Sequence, residues 1–420
     1  MALDGRRVLF ISYNGILDPL GQTQVLPYLR ELAKKGVRFT LLSFERGKAF
    51  EPEGVERCQH FERQLLSDGI EWHWLRYHQK PSLPATAYDV FAGVRQASRL
   101  VRGNQIEMVH ARSHIPATIA LALKNRFNLK MIFDVRGLMA DEYVDANHWR
   151  KGSVPYRLTK VMERRALAAS EGVVTLTEAI WPTIREWDGL RDRDDVSHEV
   201  IPCCADLESF KFSQEDRARR RTELGLADRF VVVYSGSIDG WYLTEQMADF
   251  FAFILKCRSD AHALWLTPSK HERIRSLMQQ RNLPEASYTV MAVAPREVSS
   301  YLSTSDAGLA FIKPCFSKLA SSPTKYAEYL ACGLPLIINR GIGDADLLVT
   351  EKKVGALVSD FNEGEYANAA SAIESLERDR ENTRRLTRRV AEQFFDVRTV
   401  GVDRYSRLYE KVFDQSTRVL

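Results

Sequence analysis

The sequence predicts an α/β protein with two domains that face each other across a cleft. Short apolar runs alternate with segments whose apolar residues recur at helical spacing, and this alternation extends through most of the 420 residues. A chain of this length exceeds one ordinary hydrophobic core. We therefore place domains at residues 1–200 and 201–395, and we expect residues 396–420 to form a helix that crosses back to the first domain.

The first domain opens with a strand, a loop and a helix. Residues 7–13 are a short apolar run bounded by a turn, and residues 24–35 carry apolar side chains at helical spacing. Gly15 and Gly21 in the loop would allow the backbone to approach a ligand closely. The strands expected in this domain are residues 7–13, 37–44, 106–110, 130–134, 172–176 and 198–201, and the helices are residues 24–35, 88–102, 117–125, 156–169 and 179–187.

Polar side chains follow two of these strands at their carboxyl ends. They are His110, Arg112, His114, Asp134 and Arg136. Ligands of open α/β sheets gather beyond the carboxyl ends of the strands, so this cluster is a candidate site. Taken singly, each residue is equally explained as a cap or a hydrogen-bonded loop residue. The polar, glycine-flanked residues 137–153 that follow predict a mobile loop.

A second alternating series follows a charged helix predicted at residues 214–224. Its strands are residues 230–234, 261–266, 288–291, 307–312, 334–338 and 354–358, and its helices include residues 244–257, 271–280 and 296–303. Beyond residue 358 the pattern is helical, and residues 403–413 are long enough to reach back across the first domain.

One further helix of the second domain begins in a way that predicts an anion site. Ser322 suits the N-cap, Pro323 the first helical position and Gly333 a left-handed C-cap, which indicates a helix of about three turns. Lys325 in the first turn opposes the helix dipole, so we expect a negative group such as a diphosphate beside it. The alternative is a solvated Lys325–Glu328 pair on an ordinary surface helix.

Composition excludes several classes of protein. The net charge of +4, from 59 basic and 55 acidic residues, is too mild for a dedicated nucleic-acid binder. The six cysteines lack C-x-x-C spacing, which favours free thiols in a reducing compartment and no structural zinc. The N-terminus resembles neither a signal peptide nor a spanning helix, and no G-x-G-x-x-G fingerprint indicates a nicotinamide cofactor. We expect a soluble cytoplasmic protein.

Three segments resemble the GT-B glycosyltransferases of family 4. That family's N-terminal donor and acceptor loop is similar to DPLGQTQVLPYLRELAKKG, and its interdomain signature V-I-P-N-G-V-D-x-x-x-F is similar to VIPCCADLESF. Its donor-binding helix and strand are similar to SPTKYAEYLACGLPLI. The resemblance implies two Rossmann-like domains, with a nucleotide-sugar donor held by the C-terminal domain and the acceptor by the N-terminal domain.

The resemblance also implies a donor site. Glu328 matches the second glutamate of the family's E-x7-E pattern, which accepts hydrogen bonds from the ribose, whereas Ala320 stands where the first glutamate would fall. The usual Arg and Lys pair after the first C-terminal strand is absent, so backbone amides, the helix start and Lys325 are expected to bind the phosphates. The expected donor-binding residues are Gly21, Gly236, Ser237, Ser321, Ser322, Pro323, Thr324, Lys325 and Glu328.

Catalysis and acceptor binding are assigned in the same way. His110 matches a strand-end histidine often found near the reacting sugar, and we expect it to act with Lys325; its alternative is a structural histidine. The remaining members of the strand-end cluster form the expected acceptor side: Arg112, His114, Asp134 and Arg136.

The resulting prediction is a retaining glycosyltransferase that moves a sugar from a nucleoside diphosphate to a carbohydrate or lipid-linked acceptor in cell-surface polysaccharide or glycoconjugate synthesis. We expect no cofactor, no essential metal and no nucleic-acid partner. The alternative is a nucleotide-sugar 2-epimerase of similar fold, and a non-catalytic binding protein is the third class. Lys34, Lys35 and Arg38 predict weak binding to anionic lipid at the inner face of the membrane, unless they only complement a helix dipole.

Overall fold

Two parallel sheets organise the chain in the computed structural model, which describes residues 3–415. The sheets belong to two compact units. Unit 1 comprises the chain up to Pro202 together with the segment that starts at Val397, and unit 2 comprises Cys203–Asp396. The division lies within two residues of the boundaries expected from the sequence.

Unit 1 contains seven strands in the order β3-β2-β1-β4-β5-β6-β7. The strands are β1 (Arg7–Ser12), β2 (Arg38–Glu45), β3 (Ile70–Arg76), β4 (Met108–Arg112), β5 (Lys130–Asp134), β6 (Gly172–Thr175) and β7 (Ser197–Val200). The helices are α1 (Pro19–Gln24), α2 (Leu26–Lys34), α3 (Pro52–Ser67), α4 (Ser82–Asn104), α5 (His114–Phe127), α6 (Met139–Asp145), α7 (Val154–Ala169) and α8 (Trp181–Arg185). The central strands are buried on both faces, which explains their nearly continuous apolar sequences.

Several features of unit 1 differ from the sequence prediction, and two of them, helix α3 and the edge strand β3, were not expected at all. Strand β4 is displaced by two residues, because its register pairs Val8 with Met108 and Ser12 with Arg112. His110 therefore lies in the middle of the strand rather than at its end. Helix α4 starts well before the predicted position, and the predicted loop at residues 137–153 contains α6, in which Ala140 is buried.

Unit 2 contains six strands in the order β10-β9-β8-β11-β12-β13. The strands are β8 (Phe230–Ser235), β9 (Ala261–Leu266), β10 (Tyr288–Met291), β11 (Ala307–Ala310), β12 (Leu336–Asn339) and β13 (Gly355–Val358). The helices are α9 (Gln214–Leu224), α10 (Thr244–Cys257), α11 (His271–Gln280), α12 (Val298–Leu302), α13 (Thr324–Ala331), α14 (Ala345–Lys352), α15 (Glu363–Arg378) and α16 (Arg380–Phe395). A 3-10 helix, Phe316–Ala320, precedes α13.

Helix α13 is fixed against the sheet of unit 2 by Tyr329. Tyr329 accepts a hydrogen bond from the backbone N–H of Ser235 at 2.7 Å. Its ring also passes so close to Gly308 that a Cβ added there would lie 2.3 Å from the ring. The glycine in β11 is thus required by the approach of α13, which sets the position of the whole helix.

The last helix, α17 (Asp403–Asp414), packs within unit 1. A π-helical segment, Val397–Val402, leads into it. Tyr409 Oη is hydrogen-bonded to His110 Nδ1 at 2.7 Å, and Tyr405 Oη donates to Asp134 Oδ2 at 2.8 Å. The helix therefore covers polar side chains of β4 and β5.

The six cysteines are all free thiols. Within residues 3–415, no helix combines the length and the apolar character that crossing a bilayer would require.

Candidate functional site

The ammonium of Lys325 is the centre of the candidate site in unit 2. Its Nζ donates to Tyr234 Oη at 3.1 Å and lies 3.6 Å from the ring centroid of Tyr242. A Cβ added at Gly236 would lie only 3.2 Å from this Nζ. The loop that follows β8 therefore runs directly past the ammonium, and Gly236 is the residue that permits this approach, with a φ of 125°.

Lys325 is buried, and within residues 3–415 no carboxylate is hydrogen-bonded to it. Only 6% of the residue is exposed, so the solvated surface pair with Glu328 is ruled out as its environment. Burial lowers the pKa of Lys325 to about 7, with a smaller opposing effect from Glu328. Burial likewise raises the pKa of Glu328 to about 7, opposed by Lys325. An anion that entered beside Lys325 would stabilise its charged form.

The start of α13 is one residue later than predicted. Pro323 is the N-cap, and the structure gives it no side-chain capping bond, so the predicted Ser322 cap is wrong. Ser322 Oγ instead accepts from the backbone N–H of Cys203 at 3.1 Å, which ties it to the segment that opens unit 2. Gly333 adopts a φ of 79° beyond the helix end, as predicted. The first-turn N–H groups near Thr324 are thus left for another acceptor.

Sequence reasoning missed a second buried lysine in this site. Lys318, on the 3-10 helix before α13, is 6% exposed, and its Nζ lies 3.8 Å from the ring centroid of Trp241. Its carbonyl oxygen accepts from the N–H of Gly343 at 2.9 Å. Trp241 and Tyr242 are adjacent, so Lys318 and Lys325 contact neighbouring side chains of one loop. The only feature of the sequence that could have pointed to this site was the aromatic pair directly after Gly240.

The loop after β8 is held by its own hydrogen bonds. Tyr234 Oη donates to the carbonyl oxygen of Ser237, which fixes the first turn of the loop. The N–H of Asp239 donates to Thr244 Oγ1 at 2.8 Å, and the Asp239 carboxylate pairs with Lys270 at 2.9 Å. These contacts position Gly236 and Ser237 against Lys325, while Ser321 lies on the neighbouring segment that leads into α13.

His110 does not occupy the position predicted for a catalytic residue. The residue is 1% exposed, and its Nε2 lies 3.7 Å from Asp134 Oδ2 beneath α17. Burial lowers the pKa of His110, although Asp134 opposes the shift. Burial also raises the pKa of Asp134, but Arg136 and His110 outweigh it and hold that pKa below its ordinary value. The structure thus supports the alternative of a structural histidine, because α17 covers both side chains.

His114 is likewise part of the packing between helices. Its Nε2 lies 2.8 Å from Glu163 Oε2, and both side chains are almost fully buried. Burial raises the pKa of Glu163, but His114 and Lys160 outweigh it and keep that pKa below its ordinary value. His114 therefore links α5 to α7.

The two arginines of the cluster have a different environment. Arg112 Nη1 donates to Asn14 Oδ1 at 3.4 Å, and Arg136 Nη2 donates to Gln24 Oε1 at 3.4 Å. Both contacts are to the segment that follows β1. Of the five residues predicted to meet at the strand ends, Arg112 and Arg136 are the two that contact this segment.

Gly21 is explained by packing within the same segment. It lies in α1, and a Cβ added to it would lie 2.4 Å from the carbonyl oxygen of Gly15. Glu45, a residue not predicted, holds the loop: its carboxylate accepts from the N–H of Ile16 at 2.6 Å. Burial raises the pKa of Glu45. A glycine at position 21 is therefore required by the loop itself.

Two known families match separate parts of the chain. Residues 21–204 match the glycosyl transferase 4-like domain, and residues 317–400 match the glucosyltransferase 3-like C-terminal domain. Together these matches cover more than half of the chain. No curated protein sequence shows a significant match.

Solved structures resemble the chain over nearly its whole length. Sucrose-phosphate synthase from Thermosynechococcus elongatus has a TM-score of 0.74 at 16% identity, covering 98% of this chain and all of that one (100%). HepE of Anabaena, in complex with UDP-glucose, has a TM-score of 0.67 at 16% identity, with 96% and 99% covered. WaaG, a glycosyltransferase involved in lipopolysaccharide biosynthesis, has a TM-score of 0.67 at 12% identity, with 97% and 100% covered.

The two parallel sheets and these matches define a glycosyltransferase with the GT-B fold. Within that class, residues 21–204 match the glycosyl transferase 4-like domain, which is consistent with the family 4 glycosyltransferases.

Proposed function

We propose that the chain is a retaining, metal-independent hexosyltransferase, and that Lys325 and Lys318 bind the diphosphate of its donor. The observation that carries this proposal is the buried ammonium of Lys325 beside Gly236, at the start of a helix without a capping side chain. A buried cation in the first turn is repelled by the positive end of the helix dipole. A diphosphate beside it would be attracted both by the cation and by that end of the dipole.

Each donor-site residue has a role in this proposal. The backbone at Gly236 and Ser237, together with Ser321, Ser322 and Thr324 at the helix start, surrounds the phosphates. Pro323 has no N–H and only fixes the chain direction. Glu328, one helical turn after Lys325, accepts hydrogen bonds from the ribose hydroxyls.

The two lysines supply the charge that departure of a diphosphate requires. Negative charge grows on the leaving oxygen as the sugar–phosphate bond breaks, and fixed cations in a water-poor site stabilise it. Lys318 takes the place of a member of the Arg and Lys pair that the sequence lacks after β8. Two ammonium groups support a reaction without an essential metal.

The proposed donor is a uridine diphosphate sugar, glucose being the first to test. HepE was solved with UDP-glucose, and part of unit 2 matches a glucosyltransferase 3-like domain. For the acceptor we propose a carbohydrate or a lipid-linked glycan of cell-surface polysaccharide synthesis, since WaaG acts in lipopolysaccharide biosynthesis. Arg112 and Arg136 form its binding side, and the enzyme works in the cytoplasm at the inner face of the membrane.

A thermal-shift screen tests the donor. UDP, GDP and ADP are compared on the wild-type protein, and a ligand at about 100 times its Kd adds about 2.7 kcal/mol of stability. A shift with UDP that Lys325→Met loses supports the proposal, and no shift with any diphosphate refutes it. UDP-glucose turnover with and without a glycan acceptor then separates transfer from 2-epimerisation, and NMR of the product's anomeric configuration tests retention.

A further inference from the structure

Arginines from two helices of unit 2 meet at one buried carboxylate. Asp306, directly before β11, accepts from Arg217 Nη2 at 2.6 Å and from Arg221 Nη2 at 2.7 Å. Arg380 Nη2 lies 3.4 Å from the same carboxylate, whose side chain is almost fully buried. The first two arginines belong to α9, and the third opens α16. One carboxylate is therefore shared among three guanidinium groups.

The ion pairs around this carboxylate leave an excess of positive charge. Glu377 pairs with Arg380 at 3.0 Å and with Arg258 at 2.6 Å, and Arg258 also pairs with Asp260 at 2.8 Å. Arg384 lines the same place on α16. The set thus has five arginines and three carboxylates, namely Arg217, Arg221, Arg258, Arg380 and Arg384 with Asp260, Asp306 and Glu377. The chain as a whole is nearly balanced, with 59 basic and 55 acidic residues, so this excess is local.

Arg384 is the arginine of this set that no carboxylate neutralises directly. Among residues 3–415 its guanidinium finds no hydrogen-bond acceptor and no ion-pair partner, although the residue is only half-exposed. The guanidinium carbon lies 3.8 Å from the ring centroid of Phe212, and an added Cβ at Gly333 would lie 3.0 Å from Arg384 Cγ. Burial, together with Arg217 and Arg380, lowers the pKa of Arg384 to about 10. The side chain is thus held by packing, in surroundings that an anion would improve.

The donors of Arg217 and Arg221 are already used by the protein. Besides their carboxylate, both arginines donate to backbone carbonyl oxygens of residues 303–305 and so hold the segment that leads into β11. They can offer a ligand only their charge. The N–H groups of Arg384 and of Arg380, whose side chain is 41% exposed, remain for binding.

Arg380 and Arg384 line a narrow cleft beside Asp306, which we call the arginine cleft. The N–H of Val231 donates to the Asp306 carboxylate at 2.8 Å, so the cleft lies at the start of β8, whereas Gly236 follows the end of that strand. The strand between them spans about 17 Å, which separates the arginine cleft from the candidate site on α13. Its volume of about 10 Å³ has room for one water-sized group, such as one oxygen of a tetrahedral anion.

We infer that the arginine cleft binds the phosphate group of a soluble ligand, either inorganic phosphate or a phosphate monoester. The flat guanidinium of Arg384 presents parallel N–H groups, which pair with two oxygens of one phosphate. A phosphate monoester carries a charge of about −1.5 to −2 near pH 7, which matches the two positive charges left by the surrounding ion pairs. This site does not rest on the proposed function, because none of its residues belongs to the donor site.

Isothermal titration calorimetry with inorganic phosphate and with glycerol 3-phosphate, at constant ionic strength, tests the inference on the full chain. Wild type should bind saturably, and Arg384→Gln should weaken that binding at least about tenfold. The matched control is Arg385→Gln, which removes the exposed arginine of the next position and should bind like wild type. Tighter binding of glycerol 3-phosphate supports a phosphorylated metabolite as the ligand, and equal or weaker binding supports free phosphate.

The diphosphate site proposed at Lys325 would also attract phosphate, so each titration is repeated on Lys325→Met. Phosphate binding that Lys325→Met keeps and Arg384→Gln loses supports the inference. Binding that Arg384→Gln keeps, or no saturable binding by wild type, overturns it. Arg384→Lys retains the charge without the fork and should bind with intermediate affinity, which tests the inference even if the Gln variant does not fold; binding equal to wild type contradicts it. The UDP thermal shift of each variant reports on the proposed function alone.

Discussion

Replacing Lys325 with Met should stabilise the protein and inactivate it at the same time. Burial lowers the pKa of this lysine from 10.5 to about 7, which corresponds to about 5 kcal/mol against the charged form in the folded protein. Contacts of the ammonium with the rings of Tyr242 and Tyr234 offset about 1 to 2 kcal/mol each. The variant should therefore gain about 1 to 3 kcal/mol in unfolding free energy near pH 7.

The pH dependence of this gain has a defined sign. Between pH 7 and about 10.5 the unfolded chain holds the Lys325 proton and the folded protein releases it, so wild-type stability rises with pH in that range. The advantage of Lys325→Met should be complete below pH 7 and should shrink as the pH approaches 10. Guanidinium unfolding at several pH values measures it, with exposed Lys256→Met as the control.

Activity should move in the opposite direction. The interaction between the Lys325 ammonium and the diphosphate becomes stronger as the diphosphate leaves. Its loss should therefore lower kcat/KM by at least about a hundredfold, on the order of 2.7 kcal/mol. Steady-state turnover of UDP-glucose, on the same preparations used for unfolding, gives this number. A folded Lys325→Met protein with normal turnover, or one less stable than wild type at pH 6, would refute the reasoning.

Three further outcomes follow from the described contacts. Glu328→Ala should weaken UDP binding by about 1.5 to 3 kcal/mol in calorimetry while the protein stays folded, and unchanged affinity would remove Glu328 from the site. UDP affinity should fall up to about tenfold per pH unit above pH 7 as Lys325 loses its proton, and this slope should be absent in Lys325→Met. Tyr409→Phe should lower the unfolding free energy by about 1 to 3 kcal/mol in urea, because it leaves His110 Nδ1 buried without its partner; equal stability would show that this hydrogen bond contributes nothing.

Elements with local signals were predicted accurately. Helix α9 was expected at residues 214–224 and is found at Gln214–Leu224, because its ends are determined by neighbours in sequence. Ser213 Oγ accepts from the N–H of Asp216, and Gly225 adopts a φ of 66°. The six strands of unit 2 were predictable for the same reason, since each apolar run is bounded by its own turn, but helix α14 between β12 and β13 was not expected.

Features that depend on distant parts of the chain were not predictable. The bounds of β4 follow from its pairing with β1 and β5, and the two-residue displacement moved His110 from an expected edge into the interior. The helix that covers His110 arrives 299 residues later in the chain. Lys318 was missed because its site role depends on the ring of Trp241, which is brought to it only by folding.

The inclusion of α17 in unit 1 has a consequence for how the chain folds during its synthesis. A ribosome completes residues 203–396 before it makes the helix that covers the side chains of His110 and Asp134. Unit 2 can therefore bury its core while the sheet of unit 1 still lacks this cover. Until α17 docks, the emerging polypeptide exposes an unfinished surface to chaperones and proteases, so a stalled or shortened product should be cleared although most of its residues are already folded.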